Sequence, residues 1–432
     1  MYSDLDISSH SPEPLQHCRT FNLDLAGPRV FFCADSAVDL MLKSGASHYM
    51  EFKSVDANFV CDGNGKLLSV PDSRSAIFSD TSLGLAEKTR LGIFFKLVDG
   101  HLKAAVVGSD GGDDSGRRIS DEDLESPFVD FLNKLRLPPK INSTILYAIA
   151  MADYDQDSME VCKDFLKTKD GINRLALHHS SVGRFSNALG PLIYPIYGQG
   201  ELPQAFCRHA AVKGCLYVLR MPVNALLMDK DSGSYKGVKV DILQAKLKDF
   251  GLQDFRGKVA RGICITKSSL KPDVSTFLAV YPPKSLYPEQ VASIRVLQIG
   301  SSLAVCPSGI ERRSIRGLFS DVYTVEMLNL FSTGWYVLYL STLCDDAIQG
   351  KKSLHAAVNA IFSVPISGTP ENSNTDESEN AEVKPTLLWS ALYIQEMCSF
   401  GSIFSTPMPD GNLNYNDLLD ATKKMKNSFR RL

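Results

Sequence analysis

Residues 194–220 read Tyr194-Pro-Ile-Tyr-Gly-Gln-Gly-Glu-Leu-Pro-Gln-Ala-Phe-Cys-Arg-His-Ala-Ala-Val-Lys-Gly-Cys-Leu-Tyr-Val-Leu-Arg220. Gly198 and Gly200 punctuate a tight loop. Pro203 fits the first turn of a helix and Gly214 its left-handed C-terminal cap, so the spacing predicts a short helix between them. Glu201, Gln204 and Arg208 fall on one polar stripe of that helix. Leu202, Phe206 and Val212 lie off the stripe and are expected to pack inward. Such a stripe is ordinarily a solvated face. A carboxylate, an amide and a guanidinium presented together also suit the docking of a protein partner, with Arg a favoured hot-spot type.

On the N-terminal side the pattern becomes helical. Between about Ser82 and Phe185, apolar residues recur at helical spacing: Leu91, Phe94, Phe95 and Leu97, then Phe128, Phe131, Leu132 and Leu135, then Ile145, Leu146, Ile149 and Ala150. Ser120 with Asp123 marks one helix start, and Ser143 is expected to cap another. A polar Gly-rich loop at 108–116 interrupts the block. The flanks read differently. Residues 1–20 are polar and expected to be irregular. Asp35-Ser36 opens a helix, and 59–70 form a hairpin about Asp62-Gly63-Asn64-Gly65. Beyond residue 190, Tyr217–Met228 and Tyr235–Ile242 read as a second hairpin. Strands are expected at 262–266, 276–281, 293–299, 335–340 and 385–393. Residues 367–384 are acidic and almost without apolar side chains, so they read as a disordered insertion. A helix over about 416–425 closes the chain. The expected fold is therefore α/β: one discontinuous sheet domain formed by 1–81 and 186–432, with an all-helical domain inserted at 82–185.

Composition removes several function classes. The 432 residues carry 46 Lys and Arg against 49 Asp and Glu, a net charge of −3, so no general nucleic-acid footprint is expected. No run is long and apolar enough for a transmembrane helix. The first residues resemble neither a secretory signal nor a transit peptide, which with ten scattered cysteines implies reduced thiols in the cytosol. Asp153–Ser158 begins like a calcium loop but lacks the required Gly and Glu, so no metal is expected. No phosphate-cradling Gly motif and no nucleophile elbow occurs.

The Tyr-Gly-x-Gly-Glu-Leu-Pro-Gln-x-Phe-x-Arg string is similar to the signature of the GDP dissociation inhibitor and Rab escort protein family. The resemblance continues, in order, through Phe21-Asn-Leu-Asp-Leu25, Tyr49-Met-Glu-Phe-Lys53, Val70-Pro71, Leu83-Gly-Leu-Ala-Glu-Lys88, Gly183-Arg184-Phe185 and Pro385-Thr-Leu-Leu-Trp389. It spans most of the chain from about Arg19 to Lys424. Gln199, Cys207, the 108–116 loop and the acidic insertion look more like the escort branch, and 170–189 like its plant form. Members begin with a strand, a Gly-rich turn and a helix that would precede Arg19. Their absence here makes a truncated N-terminus, with an unpaired strand edge, the expectation.

The resemblance implies a flavoprotein-like sheet domain with a helical insertion, matching the layout read from the pattern. It implies an escort: a non-catalytic accessory subunit, component A of Rab geranylgeranyl transferase. Such a subunit binds GDP-loaded Rab GTPases, presents them to the transferase heterodimer, and delivers the lipidated product to membranes through transient contact. No cofactor is implied. Carried over by position, Glu201, Arg208 and Tyr217 belong to a Rab-binding platform with Tyr197 and Gln204 beside them, and Arg184 borders a mobile segment linked to membrane contact. A GDP dissociation inhibitor recycling prenylated Rabs is the neighbouring alternative. A flavin-dependent oxidoreductase is the remote one, and its dinucleotide fingerprint is missing. The twenty-carbon geranylgeranyl chain needs shielding worth on the order of 10 kcal/mol. Phe94, Phe95, Phe128, Phe131, Leu132, Ile145, Leu146 and Ile149 form the pool for a groove lining, with small Ala148, Ala150 and Ala152 allowing helices to part. The competing reading is that all eight are ordinary core.

Overall fold

Phe277–Tyr281 and Ile294–Gly300 are buried at every position, the mark of strands covered on both faces. The computed structural model describes residues 2–27, 29–71, 84–107, 118–157, 164–188, 190–221, 223–232, 235–240, 254–307, 334–363, 384–399 and 415. Among these the strands are β1 (Tyr2–Ser9), β2 (Phe31–Phe32), β3 (Phe52–Ser54), β4 (Ala57–Cys61), β5 (Leu67–Ser69), β6 (Leu192–Pro195), β7 (Val223–Met228), β8 (Tyr235–Val240), β9 (Asp254–Thr266), β10 (Phe277–Tyr281), β11 (Ile294–Gly300), β12 (Tyr336–Cys344) and β13 (Trp389–Ser399). The large sheet runs β1-β13-β9-β12-β11-β10-β4-β5, eight strands, and is antiparallel except where β4 lies parallel to β10. A smaller sheet has the order β2-β6-β3, and β7 pairs with β8 as a hairpin.

The period of two sorts the large sheet's side chains onto two layers. One face carries Ala260, Cys264, Phe277, Ala279, Ile294 and Val296, covered by Leu354, Ala357, Val358 and Ile361 of a helix at Ala347–Ile361. The opposite face carries Ile263, Ile265, Leu278, Leu297 and Val337 and packs on Val30, Phe32, Leu192 and Tyr194. This is the mixed α/β architecture expected.

Helices α1 (Glu13–Gln16) and α2 (Ser36–Ser44) precede the helical block. Within it lie α3 (Leu85–Val107), α4 (Asp121–Glu125), α5 (Phe128–Lys134), α6 (Pro139–Ser143), a π-helical turn at Thr144–Ile149 and α7 (Thr168–Ser181). The signature helix α8 (Glu201–Val212) and α9 (Ala347–Ile361) complete the described helices. The block shares one apolar cluster, which reaches the sheet at Val60 and Val280. Its link to the sheet is polar as well: Ser293 N–H donates to the Asp153 carbonyl at 2.7 Å, and Arg295 meets the Asp153 carboxylate at 2.7 Å and the Met151 carbonyl at 2.7 Å.

Several expectations need correction. Residues 2–9 are a strand, not irregular. β1 pairs along β13 through backbone hydrogen bonds and, as an edge strand, leaves Leu5 and Ile7 exposed, so no apolar alternation announces it. Ser143 caps nothing. The helix starts earlier, at Pro138-Pro139, where ring-fixed φ angles suit a first turn, and Ser143 lies inside helical backbone. The second hairpin begins at Val223, since Leu216–Arg220 run exposed without strand pairing. The capping at Asp35 and Ser120 is as expected, with Ala37 N–H donating to Asp35 at 2.7 Å and Asp123 N–H to Ser120 at 3.2 Å. The loop at 108–116, the insertion at 367–383 and the closing helix at 416–425 lie outside the described residues.

Candidate functional site

Helix α8 follows from its two ends. Gly198 adopts φ +91°, a conformation that favours glycine, and a side chain there would crowd Asp24 Oδ1 at 3.2 Å. At the other end Gly214 has φ +90°. Its N–H donates to Ala211 at 2.9 Å while Cys215 N–H donates to Ala210 at 3.0 Å, a Schellman closure. Between these ends Ala205 belongs to, and Leu202 and Phe206 pack on, an apolar cluster that also holds Val38, Met41, Ala46 and Ile193. Val212 does not join them; it sits on the solvent side at 75 % exposure, where the last turn has outrun the apolar shelf.

The polar stripe forms as read from the spacing. Gln204 and Arg208 are exposed and Glu201 is half-buried. Glu201 Oε2 accepts the Tyr197 N–H at 3.1 Å. Burial pushes the Glu201 carboxyl above its ordinary range and Glu51 adds to this, while the Tyr197 bond and the Arg208 charge pull it back. Tyr197 and Tyr217 are about half exposed. The Tyr217 hydroxyl lies against the thiols of Cys207 and Cys215, which push it up to about 12. The three stripe residues thus stand on one helix, with Tyr197 and Tyr217 flanking its two ends. Its polar side faces solvent, and its apolar side is seated on the small sheet and α2.

Arg184 is placed elsewhere and held. Its guanidinium donates to the Cys33 carbonyl at 2.6 Å, pairs with Asp39 of α2 at 2.5 Å and stacks over the Phe185 ring. Next to it Val38, Met41, Phe52, Phe185 and Ile193 line an apolar cleft of about 210 Å³. The eight groove candidates are brought together in the helical block: Phe94, Phe128, Phe131, Leu132, Ile145, Leu146 and Ile149 are buried in one cluster, and Phe95 packs on it half-buried.

The residues beneath the signature loop entered the sequence reading only through the resemblance, in Phe21–Leu25 and at Gln199, and without a structural role. The Asp24 carboxylate accepts the Tyr194 hydroxyl and the Gln199 N–H (3.1 and 3.2 Å to its two oxygens). Gln199 in turn donates its amide to the Arg29 carbonyl and accepts the Tyr415 hydroxyl. The Tyr415 ring stacks on Phe31 at 4.1 Å, and the Arg29 guanidinium lies 5.3 Å from it. Burial pushes Asp24 above the usual carboxylate range, with the Tyr194 and Gln199 bonds opposing. The only signal in the sequence is an acid flanked by Leu23 and Leu25 in an apolar run; nothing there links it to position 199.

The profile of the family described as GDP dissociation inhibitor matches residues 1–276. The chain is 52% identical to Rab escort protein 1 of Arabidopsis thaliana over 98% of this chain and 77% of that protein. It is 28% identical to Rab proteins geranylgeranyltransferase component A 2 of Mus musculus over 90% of this chain and 55% of that protein, so it spans about half the length of this animal relative. The crystal structure of a Rab GDI from Plasmodium falciparum superposes with a TM-score of 0.63, covering 94% of this chain and 81% of that one. At 16% identity this likeness speaks for the fold alone.

Proposed function

The chain belongs to the GDP dissociation inhibitor family, and we propose that within it the chain acts as a Rab escort. In this role it binds GDP-loaded Rab GTPases and presents them to the geranylgeranyl transferase heterodimer as a non-catalytic accessory subunit. It then carries the lipidated Rab through the cytosol to transient membrane contact. The observation that carries the reading is helix α8. A half-buried Glu201 and exposed Gln204 and Arg208 stand in register over a packed apolar cluster, in a chain half identical to a plant Rab escort protein. Charged and amide groups on a rigid support suit protein recognition and need no reacting atom. Among the described residues no helix is long and apolar enough to cross a membrane, and no group of three His, Cys, Asp or Glu is arranged around a metal position.

The test is capture of unprenylated Rab in its GDP and GTP forms by the full chain, with and without the transferase. The expected result is preference for the GDP form and a ternary complex with the transferase. The nucleotide preference arises from Rab's switch segments, which order around the γ-phosphate. Binding only of prenylated Rab, without a ternary complex, identifies a recycling inhibitor instead.

The same reading assigns the isoprenoid to the helical block. Its aromatic pool is closed, so admission requires α3 or α5 to part from the π-helical turn while Phe94, Phe128 and Phe131 re-pack. Photo-crosslinking from the terminal isoprene of a geranylgeranylated peptide is expected to label residues 84–185. Labels confined to 186–432 overturn the assignment.

A further inference from the structure

Asp24 stands on a strap, residues 21–27, that is fastened to the large sheet and its flank. Asn22 donates its N–H to the Val305 carbonyl at 3.0 Å and its side-chain amide to the Ala304 carbonyl at 2.8 Å. Asp24 N–H donates to the Tyr339 hydroxyl of β12 at 3.1 Å, and the Tyr393 hydroxyl of β13 donates to the Leu25 carbonyl at 2.7 Å. The side chain of Asp24 leaves this strap in the other direction and receives the Gln199 N–H and the Tyr194 hydroxyl. The loop it holds has its own shape. Gly198 N–H donates to the Pro195 carbonyl at 3.1 Å and Glu201 N–H to the Gly198 carbonyl at 3.2 Å, so the turn closes on itself without Asp24. The loop's other ties are the Gln199 side chain, on Arg29 and Tyr415, and the Ile196 carbonyl, which accepts the Ala304 N–H at 2.9 Å; the Asp24 carboxylate adds the tie that runs from the strap directly to the loop's own backbone at Gln199.

We propose that Asp24 is a positioning residue for the partner-binding face: its carboxylate fixes where the Gly198–Gly200 loop sits relative to the large sheet, and through that loop sets Tyr197 and Glu201. The proposal rests on the escort reading given above. Asp24 does not touch the partner; it acts through the Gln199 backbone. A half-buried carboxylate is tolerated because hydrogen-bond donors converge on it. Replacing it with an amide leaves one acceptor oxygen for two donors: if that oxygen keeps the Gln199 N–H, the NH2 faces the Tyr194 hydroxyl, which must turn from donor to acceptor, and the charge that drew both donors in is lost while volume is kept. The loop then keeps its turn but drifts, and Glu201 moves out of register with Arg208, which is carried farther along α8.

The experiment uses the full chain and GDP-loaded, unprenylated Rab as the probe, at a temperature where circular dichroism shows every variant folded. Asp24→Asn is expected to weaken binding at least tenfold and Tyr194→Phe severalfold. Glu201→Ala is expected to cost less in the Asp24→Asn background than in the wild type, a coupling that mere loss of stability does not produce. Amide exchange at Gln199 is expected to quicken in the Asp24 and Tyr194 variants. Wild-type affinity in Asp24→Asn, or independent multiplication of the Asp24 and Glu201 effects, overturns the proposal. If Asp24→Asn does not fold, Tyr194→Phe carries the same measurements with one hydroxyl removed. If the wild-type chain binds no GDP-loaded Rab while Gln199 exchange still quickens in the variants, the escort reading falls and Asp24 remains the loop's anchor. Unchanged exchange removes the anchor as well.

Discussion

Helix α8 leaves Gln204 and Arg208 in solvent, whereas the helices between Leu85 and Ser181 bury Phe94, Phe128 and Leu132 completely. Both regions are helical and both carry candidate binding residues, yet the energetics run in opposite directions. In α8 the polar groups are already displayed, its apolar side is seated on a packed cluster and the loop before it on a hydrogen-bond network, so binding needs little rearrangement. In the helical block the apolar groups are spent on one another, and any ligand must compete with that packing. A recognition face can be read as a stripe. A lipid site made from core side chains cannot be told from core until it opens.

The largest expected effect tests the buried side. Phe128 lies on Gly171, where even a methyl group would overlap its ring, so the site has little room to collapse. Phe128→Ala is expected to cost about 3–5 kcal/mol in denaturant titration. A cost below about 1 kcal/mol would show that the block is already loose, weakening the contrast with α8. Next comes the exposed side. Arg208→Ala is expected to weaken Rab binding by about 2 kcal/mol with an unchanged melting curve, the hot-spot scale for a displayed guanidinium. Equal titrations of wild type and variant remove Arg208 from the face.

A third experiment separates the shelf from the stripe. Asp35 caps α2, which contributes Val38 and Met41 to the apolar cluster on which Leu202 and Phe206 of α8 pack. Asp35→Ala is expected to lower stability by about 1 kcal/mol while Rab affinity holds. If affinity falls tenfold, the shelf and the stripe are not separable. The smallest effect is electrostatic. In the β7–β8 turn, Lys236 and the N–H groups of Asp231 and Ser232 hold Asp229 down to about 2. A depressed carboxylate stabilises above its unfolded value and loses that contribution as pH falls. Amide exchange in the hairpin should therefore differ between wild type and Asp229→Asn near neutrality. The difference should close as pH drops through the ordinary carboxylate range toward about 2. A difference that persists there assigns the effect to the backbone turn.

The sequence made the fold class, the capped helices and the polar stripe legible because each is local: a Gly at a cap, a period of two or of 3.6, a Ser or Asp before a helix. It hid what depends on distant pairing. β1 looked irregular because Leu5 and Ile7 face water, so no apolar alternation announces it, and its partner β13 lies far along the chain. Tyr217 looked like the start of a strand, but the exposed run from Leu216 to Arg220 finds no partner strand among the described residues. Asp24 and Tyr415 are far in sequence from the Tyr194–Gln199 stretch and no spacing links them to it; they converge only once the strap, β6 and the signature loop are assembled.

The parallel pair of β4 and β10 joins residues 57–60 to 277–280, and β1 waits longer still, for 389–395. Closing a loop of that first span costs on the order of 5 kcal/mol in chain entropy before any contact repays it. The helices of 85–181 contact one another over much shorter separations, so on a growing chain they condense before the sheet acquires its outer strands. β1 emerges well before β13 and is paired only when β13 arrives. Its sequence, Tyr-Ser-Asp-Leu-Asp-Ile-Ser-Ser, suits a strand that must stay unpaired through synthesis. Two aspartates on an otherwise sticky edge keep it from pairing with another nascent chain until β13 arrives.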